Sequence, residues 1–221
     1  MRKSTLTKPS PPHYQNQAQI ERDRLQKLTE VARLLTASLE SSTVIQTILE
    51  AIPQVIPGVD AVALFLYNPV KDILEAKSWV GFITENIERM KLRPGESMTG
   101  YAFSANKAVL FSGDKIIHEG IVNMSPGNRS LQPNLTPLTA QSVMCAPLNF
   151  KGQVLGVITV NNFSDQNAFT EFDLDLLQSF ASQATISIEN SRLYEKQRES
   201  FQEQADLNRI IRQQARQLEH A

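Results

Sequence analysis

A long uninterrupted helical stretch dominates the end of the chain, since neither glycine nor proline occurs from Thr170 to about Leu218. Thr170 and Asp173 resemble a capping box, with Asp in the place of the usual Glu, so a helix is predicted to start there. At 1.5 Å per residue this helix would be about 70 Å long. Its first half is richly apolar and is expected to lie on a sheet, whereas its second half keeps only a thin apolar stripe. A helix this long and this polar needs a partner helix.

A stretch near the start of the chain also has the pattern of a helix that needs a partner helix. Between Leu25 and Leu39, apolar residues recur with a spacing close to 3.5, which is typical of a helix that pairs with another helix. We therefore predict a parallel homodimer whose N- and C-terminal helices pack together. The residues predicted to form the dimer helices are Leu25, Leu28, Leu35, Leu39, Leu193, Leu207, Ile211 and Leu218.

Charge and cysteine content argue against several classes of protein. The 22 Lys and Arg residues balance 23 Asp and Glu residues, giving a net charge of -1, which argues against a generally basic nucleic-acid binder. Arg209, Arg212 and Arg216 share one helical face, but acidic residues are interleaved with them, as on the solvated flank of a coiled coil. The single cysteine, Cys145, excludes an intrachain disulfide and a multi-thiolate metal site. No apolar run is long enough for a membrane span or a secretory signal, so a cytoplasmic location is expected.

The middle of the chain has the pattern of short strands and helices. An amphipathic helix is predicted near residues 43–52, and Pro53 and Pro57-Gly58 should end it. A second, short helix is predicted near residues 96–106. Residues 112–140 show no firm period, and a loop this long in a compact domain is typically a lid or a binding loop. The segments predicted to form strands, from their apolar runs and flanking turns, are residues 61–67, 73–80, 108–111, 142–150 and 152–162.

Three segments of the chain contain recognisable motifs. The first is LRPGESMTGYAFSANKAVLF at residues 92–111, with Gly95 and Gly100 five positions apart, and the second is SVMCAPLNFKGQVLGVITVNN. The third is FTEFDLDLLQSFASQATISIENSRLYE at residues 169–195. In this order they resemble the Gly-x-x-x-x-Gly helix start, the hairpin and the C-terminal signature of the GAF domain family. The resemblance implies an α+β, PAS-related fold. A central antiparallel sheet would carry the N- and C-terminal helices on one face and a ligand-pocket loop region on the other.

The resemblance also implies a function and a division of the chain. It indicates a bacterial, cytoplasmic, non-enzymatic sensory module of signal transduction, which binds a small molecule and acts through its dimer helices on a separate signalling protein such as a kinase. A purely structural dimerisation module without a ligand is the alternative. The predicted parts are a disordered tail at residues 1–15, an amphipathic helix at 16–40, the GAF domain at 41–195 and a coiled-coil-like extension at 196–221.

The pocket lining implied by the family pattern is mostly apolar, which favours a small neutral or planar ligand over a multiply charged one. A filled core without a ligand would contain the same residue types, so the identity of the ligand stays open. The residues assigned to the pocket are Ala63, Met98, Thr99, Phe111, His118, Met124, Thr136 and Ala140.

A cyclic nucleotide is a second alternative, supported by half of the family's nucleotide-binding motif. The family members that bind cyclic nucleotides contain Asn-Lys followed by Phe-x-x-x-Asp-Glu, and the Lys and the Asp of this motif form a bridge. Here Asn161-Asn162 replaces Asn-Lys, and Leu174 follows Asp173 where Glu is expected. Asp173 is therefore interpreted as an acid at a helix start.

Other cofactors of the family are not favoured. A covalent bilin needs a thiol in the long loop, where there is none, and Cys145 in a predicted strand is interpreted as a buried structural thiol. His118 offers one axial imidazole to a haem, but it is interpreted as part of a solvated turn. No metal site is expected.

An enzyme, free methionine sulfoxide reductase, also resembles a bare GAF domain and works through thiolate attack and resolving cysteines. A chain with one cysteine cannot form that disulfide relay. Neither a G-x-S-x-G nor an H-E-x-x-H motif occurs. We therefore expect no enzymatic activity.

Overall fold

The computed structural model of the protein describes residues 22, 29, 41–82, 85–113, 116, 120, 123–131 and 139–219, with the backbone alone at 41–44, 85–86, 206–207 and 210–219. The helices in these ranges are α1 (Ser41–Val55), α2 (Ser97–Ala105), α3 (Pro126–Leu131) and α4 (Glu171–Glu219), with a 3₁₀ helix at Glu85–Arg89. The strands are β1 (Ala61–Asn68), β2 (Ile73–Val80), β3 (Lys91–Leu92), β4 (Val109–Ser112), β5 (Ser142–Phe150) and β6 (Gln153–Asn162).

The strands of the described ranges form one antiparallel sheet in the order β3-β2-β1-β6-β5-β4. Strand β1 pairs with β6, so the hairpins β1–β2 and β5–β6 lie side by side at the centre of the sheet. This pairing brings strands β1 and β6 so close together at Gly156 that a Cβ atom there would collide with the carbonyl oxygen of Phe65. The predicted α+β class and antiparallel sheet are confirmed.

The main hydrophobic core lies between one face of the sheet and helices α1 and α4. Alternate residues of each strand point to this face, as the two-residue period of a strand requires. The first half of α4 packs on this face as predicted, because its apolar residues recur at helical spacing. Its buried residues in this core are Leu174, Leu176, Leu177, Phe180, Ala181, Ala184 and Ile188.

The predicted capping box at the start of α4 is present. The Thr170 backbone amide and its Oγ1 hydroxyl donate to Asp173 Oδ2 at 3.0 and 2.7 Å, and the Asp173 amide donates to Thr170 Oγ1 at 3.3 Å. This reciprocal pairing provides partners for backbone groups that a helix start otherwise leaves open. Asp173 is therefore the acid at a helix start that the sequence indicated.

Replacing Thr170 with alanine is expected to lower the free energy of unfolding by about 1 kcal/mol, because the cap loses its hydroxyl. Ser179→Ala is the matched control. That hydroxyl donates to the Asp175 carbonyl inside the same helix, at an exposed position, and alanine is the better helix former there. Urea unfolding of both variants measures the effect. An equal loss in both would contradict the capping role.

Two segments differ from the sequence prediction. Helix α1 passes through Pro53, contrary to prediction, and ends at Val55, just before Pro57-Gly58, which was predicted to end it as well. Pro53 lies in the last turn, where it removes a single backbone donor, and the neighbouring Ile52 and Val55 are buried. Within the predicted loop 112–140, residues Pro126–Leu131 form α3, which is too short to produce a periodic pattern. Its first residue is proline, as is typical of a helix start.

Some sequence predictions fall outside the described residues. These are the seam residues Leu25, Leu28, Leu35 and Leu39, the predicted tail, and His118 and Thr136 of the predicted pocket. Leu207, Ile211 and Leu218 lie on α4, which is described there by its backbone alone. Within the described ranges, every helix is either too short or too polar to cross a lipid bilayer.

Candidate functional site

The second face of the sheet faces those predicted pocket residues that the structure describes. Met98 and Thr99 lie in the first turn of α2, and Met98 packs with Phe111 of β4 and the half-buried Ala140 in one buried cluster. Ala63 of β1 and Met124, just before α3, belong to a neighbouring cluster. Except for Ala140, these side chains are buried. The structure thus places all six described members on this side, in two adjoining clusters, and their binding of a ligand stays a prediction.

Packing around Met98 is tight. A Cβ atom built on the buried Gly120 would lie 2.8 Å from Met98 Cε and 3.3 Å from its Sδ atom. The loop backbone therefore rests directly on the thioether of Met98. A change in the position of Met98 must move this part of the loop, because closely packed atoms have no room to adjust separately.

A short chain of polar side chains crosses from α2 to the sheet beneath it. The hydroxyl oxygens of Thr99 and Thr159 lie 2.8 Å apart, and Thr159 Oγ1 lies 3.7 Å from the Sγ atom of Cys145. All three side chains are buried. Burial raises the pKa of the Cys145 thiol to about 12, although hydrogen bonds from Thr159 and Thr99 act in the opposite direction. The thiol is therefore protonated at neutral pH, which confirms it as a buried structural group.

Cys145 is expected to react with an aromatic disulfide reagent only when the domain unfolds, because a buried thiol of raised pKa supplies no accessible thiolate. The measurement compares the rate of thiol release in buffer and in a denaturing concentration of urea. Rapid stoichiometric reaction in buffer would contradict both the burial and the raised pKa of this thiol.

The turn before α2 depends on both glycines of the sequence motif. Gly95 has a φ of +82°, which a residue with a side chain rarely adopts. A Cβ atom on Gly100 would lie 2.5 Å from the Arg93 carbonyl oxygen. The Gly95 amide donates to the Gly100 carbonyl at 2.9 Å, which closes the turn.

Glu96, which lies between Gly95 and the first residue of α2, joins three elements through its buried carboxylate. It accepts hydrogen bonds from the Arg93 amide at 2.9 Å, the Ser125 amide at 2.7 Å and Asn128 Nδ2 at 2.7 Å. Asn128 Nδ2 also donates to the Lys91 carbonyl at 2.8 Å, and Asn128 Oδ1 accepts from the Lys91 amide at 3.1 Å. We call this pair the Glu96–Asn128 clamp, which ties α3 to β3 and to the start of α2.

The electrostatics of Glu96 reflect these bonds. Burial is the largest single influence and acts to raise its pKa, but the donors on Asn128, Arg93 and Ser125 together outweigh it. The pKa of Glu96 is therefore lowered from 4.5, and the carboxylate is ionised at neutral pH. An ionised acceptor forms stronger hydrogen bonds than a neutral one, which strengthens the clamp.

A cleft of about 640 Å³ opens beside the clamp, between β3 and α3. Arg89, Lys91 and Arg93 line it together with residues of α3 and the half-buried Ile73. Among the described residues, no group of three or more histidine, cysteine and acidic side chains is placed to hold a metal ion. The chemistry of this cleft is therefore that of cationic and hydrogen-bonding groups around an apolar edge.

The family model for the GAF domain matches residues 40–188. The chain belongs to the GAF domain family. Among solved structures, the GAF domain of the Coxiella burnetii phosphoenolpyruvate-protein phosphotransferase is 15% identical, with a TM-score of 0.67 over 78% of this chain and 96% of that one. The corresponding Acinetobacter GAF domain is 16% identical, with a TM-score of 0.63 over 76% and 94%.

An enzyme also shares the fold of this GAF domain. Free methionine-R-sulfoxide reductase from Neisseria meningitidis, solved with its substrate, is 16% identical, with a TM-score of 0.62 over 77% of this chain and 91% of that one. No curated protein sequence matches the chain. At these identities the structural likeness shows the fold alone, so the function must be argued from the residues of this GAF domain.

The positions of the family's nucleotide-binding motif make other contacts in this GAF domain. Asn162 Nδ2 donates to the Gly58 carbonyl at 2.7 Å, and Asn162 Oδ1 accepts from the amides of Ser164 and Asp165 at 2.9 and 2.7 Å. Asp173 binds Thr170 in the helix cap. Asn162 thus holds the loop after β6, and Asp173 holds the start of α4.

Sequence reasoning missed the clamp and the basic cleft of this GAF domain. The cations lie at residues 89–93, for which the sequence analysis predicted neither a helix nor a strand. Lys91, Leu92 and Arg93 alternate as in a strand with one solvated face, but three residues are too few to establish a period. Nothing in the sequence around Asn128 indicated its role.

Proposed function

We propose that this chain is a non-enzymatic, cytoplasmic sensory module of signal transduction. It binds a small molecule between the second face of the sheet and α2, and it passes the binding event through the terminal helices of a homodimer to a separate signalling protein. The observation that carries this proposal is the continuity of α4. A single helix of 49 residues leaves the domain core and continues far beyond it.

The outer half of α4 carries apolar side chains with no cover in the described structure. Every side chain from Arg192 to Ala205 is exposed, including Leu193 at 58%, Tyr194 at 50% and Phe201 at 62%. A groove of about 480 Å³ runs along this half, lined by Leu193 and Phe201 and the polar side chains between them. Large apolar side chains that recur along one face of an exposed helix are typical of a helix with a helical partner. We propose that this groove packs against the same surface of a second copy of the chain, and that the predicted N-terminal helices at residues 16–40 pack together with it.

Strand β5 connects the proposed ligand layer with this helix. Val143 and Cys145 face the layer around Met98, whereas the intervening Met144 and the following Ala146 face the core beneath α4. A ligand that displaces α2 therefore acts on a strand whose other face supports α4. Such a ligand shifts the helix arrangement only by its difference in affinity for the two arrangements.

The alternative of a purely structural dimerisation module rests on one specific observation. Met98, Phe111 and Met124 are all buried, and Gly120 lies against Met98. In that case the layer is a filled core, and the helices alone provide the function. Binding of a cyclic nucleotide has less support, because Asn162 forms hydrogen bonds that hold the loop after β6 and Asp173 caps the start of α4.

The same layer supports the expectation that the chain does not carry out thiol-based catalysis. Its thiol, Cys145, is protonated and buried, and the chain has no second cysteine to resolve a disulfide. Thiol-based reduction of a sulfoxide requires both an accessible thiolate and a resolving partner or external reductant.

Native mass spectrometry of the full chain purified from a bacterial host tests the proposal directly. A dimer carrying extra non-covalent mass is the expected result, and the mass identifies the ligand class. A dimer of bare chains would favour the structural alternative. A monomer at all concentrations would overturn the role of the helices in both.

A charge-insertion pair tests the helix surface separately. Leu193→Glu with Phe201→Glu places two like charges in each copy of the proposed contact, and monomers are expected. Ser179→Glu with Ser182→Glu is the matched control, since both serines are exposed on the docked half of the same helix. The control should stay dimeric. Dimers in both double variants would show that α4 does not form the contact.

A further inference from the structure

Three cationic side chains converge on the cleft beside the clamp. Arg89 ends the 3₁₀ helix, Lys91 lies on β3 and Arg93 follows it directly. The intervening Leu92 is buried, so the strand period directs Lys91 and Arg93 to the same exposed side. A volume of about 640 Å³ falls in the usual range of small-molecule sites.

Of these three cations, only Lys91 has an ion-pair partner within the described part of the chain. Glu96, the acid that lines the cleft, has both carboxylate oxygens occupied by donors of the clamp. Glu75 lies 3.7 Å from the Lys91 ammonium but is shared with Lys71 and Lys77. Among the described residues, the guanidinium groups of Arg89 and Arg93 have no ion-pair partner within 4.0 Å. Three cations and the single charge of Glu96 leave a net charge of about +2 facing the cleft.

The cleft is held open by the clamp. Asn128 binds both backbone groups of Lys91 as a neighbouring strand would, and it binds Glu96 at the same time. The wall formed by α3 is therefore fixed to the strand that carries the cations. Because the backbone that carries Lys91 is already fixed, it loses little freedom when a ligand binds.

We propose that this cleft binds a small organic molecule that carries a phosphate group. A phosphomonoester has a charge of about -1.5 to -2 at neutral pH, which matches the charge facing the cleft. Arginine forks bind phosphate oxygens in pairs, and lysine adds a point charge. The half-buried Ile73 and Leu131 offer apolar contact to the organic part. The site is distinct from the ligand layer of the proposed function, because the two share no lining residue.

Isothermal titration calorimetry of the full chain tests this site with three probes: phenyl phosphate, inorganic phosphate and phenol. Phenyl phosphate is expected to bind tightest, inorganic phosphate more weakly, and phenol not measurably. The double variant Arg89→Gln with Arg93→Gln is expected to bind phenyl phosphate at least about tenfold more weakly, since it loses the charge-assisted contacts of both arginines.

Lys107→Gln with Lys151→Gln is the matched control, because it removes the same charge from exposed positions outside the cleft. Its affinity for phenyl phosphate should stay within about twofold of the original. Arg89 and Arg93 are exposed, so thermal unfolding of both double variants should match that of the original chain. Equal weakening in the two double variants, absence of binding by both phosphates, or binding of phenol as tight as that of phenyl phosphate would overturn the proposal. Equal affinity for phenyl phosphate and inorganic phosphate would show that the cleft does not bind the organic group of the ligand, and would overturn that part of the proposal.

Discussion

Phe180→Ala is expected to lower the free energy of unfolding by about 3–5 kcal/mol, the range for removing a buried aromatic ring. Phe180 is 1% exposed and belongs to the cluster that also contains Ile48 of α1 and Met144 of β5. The ring therefore fills space where α4, α1 and the sheet meet. Its loss leaves a cavity that rigid neighbouring elements cannot fill.

Urea unfolding followed by far-ultraviolet circular dichroism measures this loss. Val70→Ala is the control, because Val70 is 93% exposed in the turn between β1 and β2 and its truncation creates no cavity. The control should change stability by less than about 0.5 kcal/mol. A loss below about 1 kcal/mol for Phe180→Ala would show that α4 is not docked on the sheet as described.

Glu96→Gln is expected to destabilise the domain by about 1.5–3 kcal/mol at neutral pH. The amide keeps the shape of the side chain but lacks the charge, and it presents a donor group towards the Arg93, Ser125 and Asn128 donors. A buried donor without an acceptor adds its own desolvation penalty. The segment carrying α3 is expected to loosen first, since the clamp holds it to β3.

The effect depends on pH with a definite sign. The pKa of Glu96 is lowered in the folded state, so its stabilising contribution is complete above the unfolded pKa, near 4.5, and is lost as the pH falls through the folded value. The difference between the original chain and Glu96→Gln should therefore be largest at neutral pH and shrink below about pH 4.5. Glu75 also has a lowered pKa, mainly through its hydrogen bond from Lys77, but it is present in both proteins and cancels.

Urea unfolding between pH 3 and pH 7 measures this dependence. Glu88→Gln is the matched control, because Glu88 is an exposed carboxylate on the neighbouring 3₁₀ helix. It should leave the stability within about 0.5 kcal/mol at every pH. A constant difference between Glu96→Gln and the original chain over the whole range would contradict an ionised, hydrogen-bonded Glu96.

Local signals in the sequence accounted for much of the fold. The central hairpins follow from apolar runs between turn residues, and their bounds agree within a residue or two with β1, β2, β5 and β6. The 3₁₀ helix, β3 and α3 left no usable pattern, because two to six residues are too few to establish a period. Pro53 misled the prediction of α1, since burial of its neighbours kept a helical turn that the proline alone would end.

The candidate site divides in the same way. The family pattern placed Met98, Thr99, Phe111 and Met124 on the second face of the sheet, and strand alternation explains why Ala63 joins them. Which of them adjoin was not predictable, because contacts between separate elements depend on how the elements pack.

The sequence by itself determined the elements whose causes are local: the cap of α4 by Thr170 and Asp173, the glycine turn before α2, and the switch of α4 from an apolar to a polar surface. These depend on residues within a few positions of one another. Only the tertiary structure decided the Glu96–Asn128 clamp and the basic cleft, because Asn128 lies 32 positions from Glu96 and 37 from Lys91. Hydrogen bonds across such distances form once the core has brought the elements together, and no local pattern encodes them.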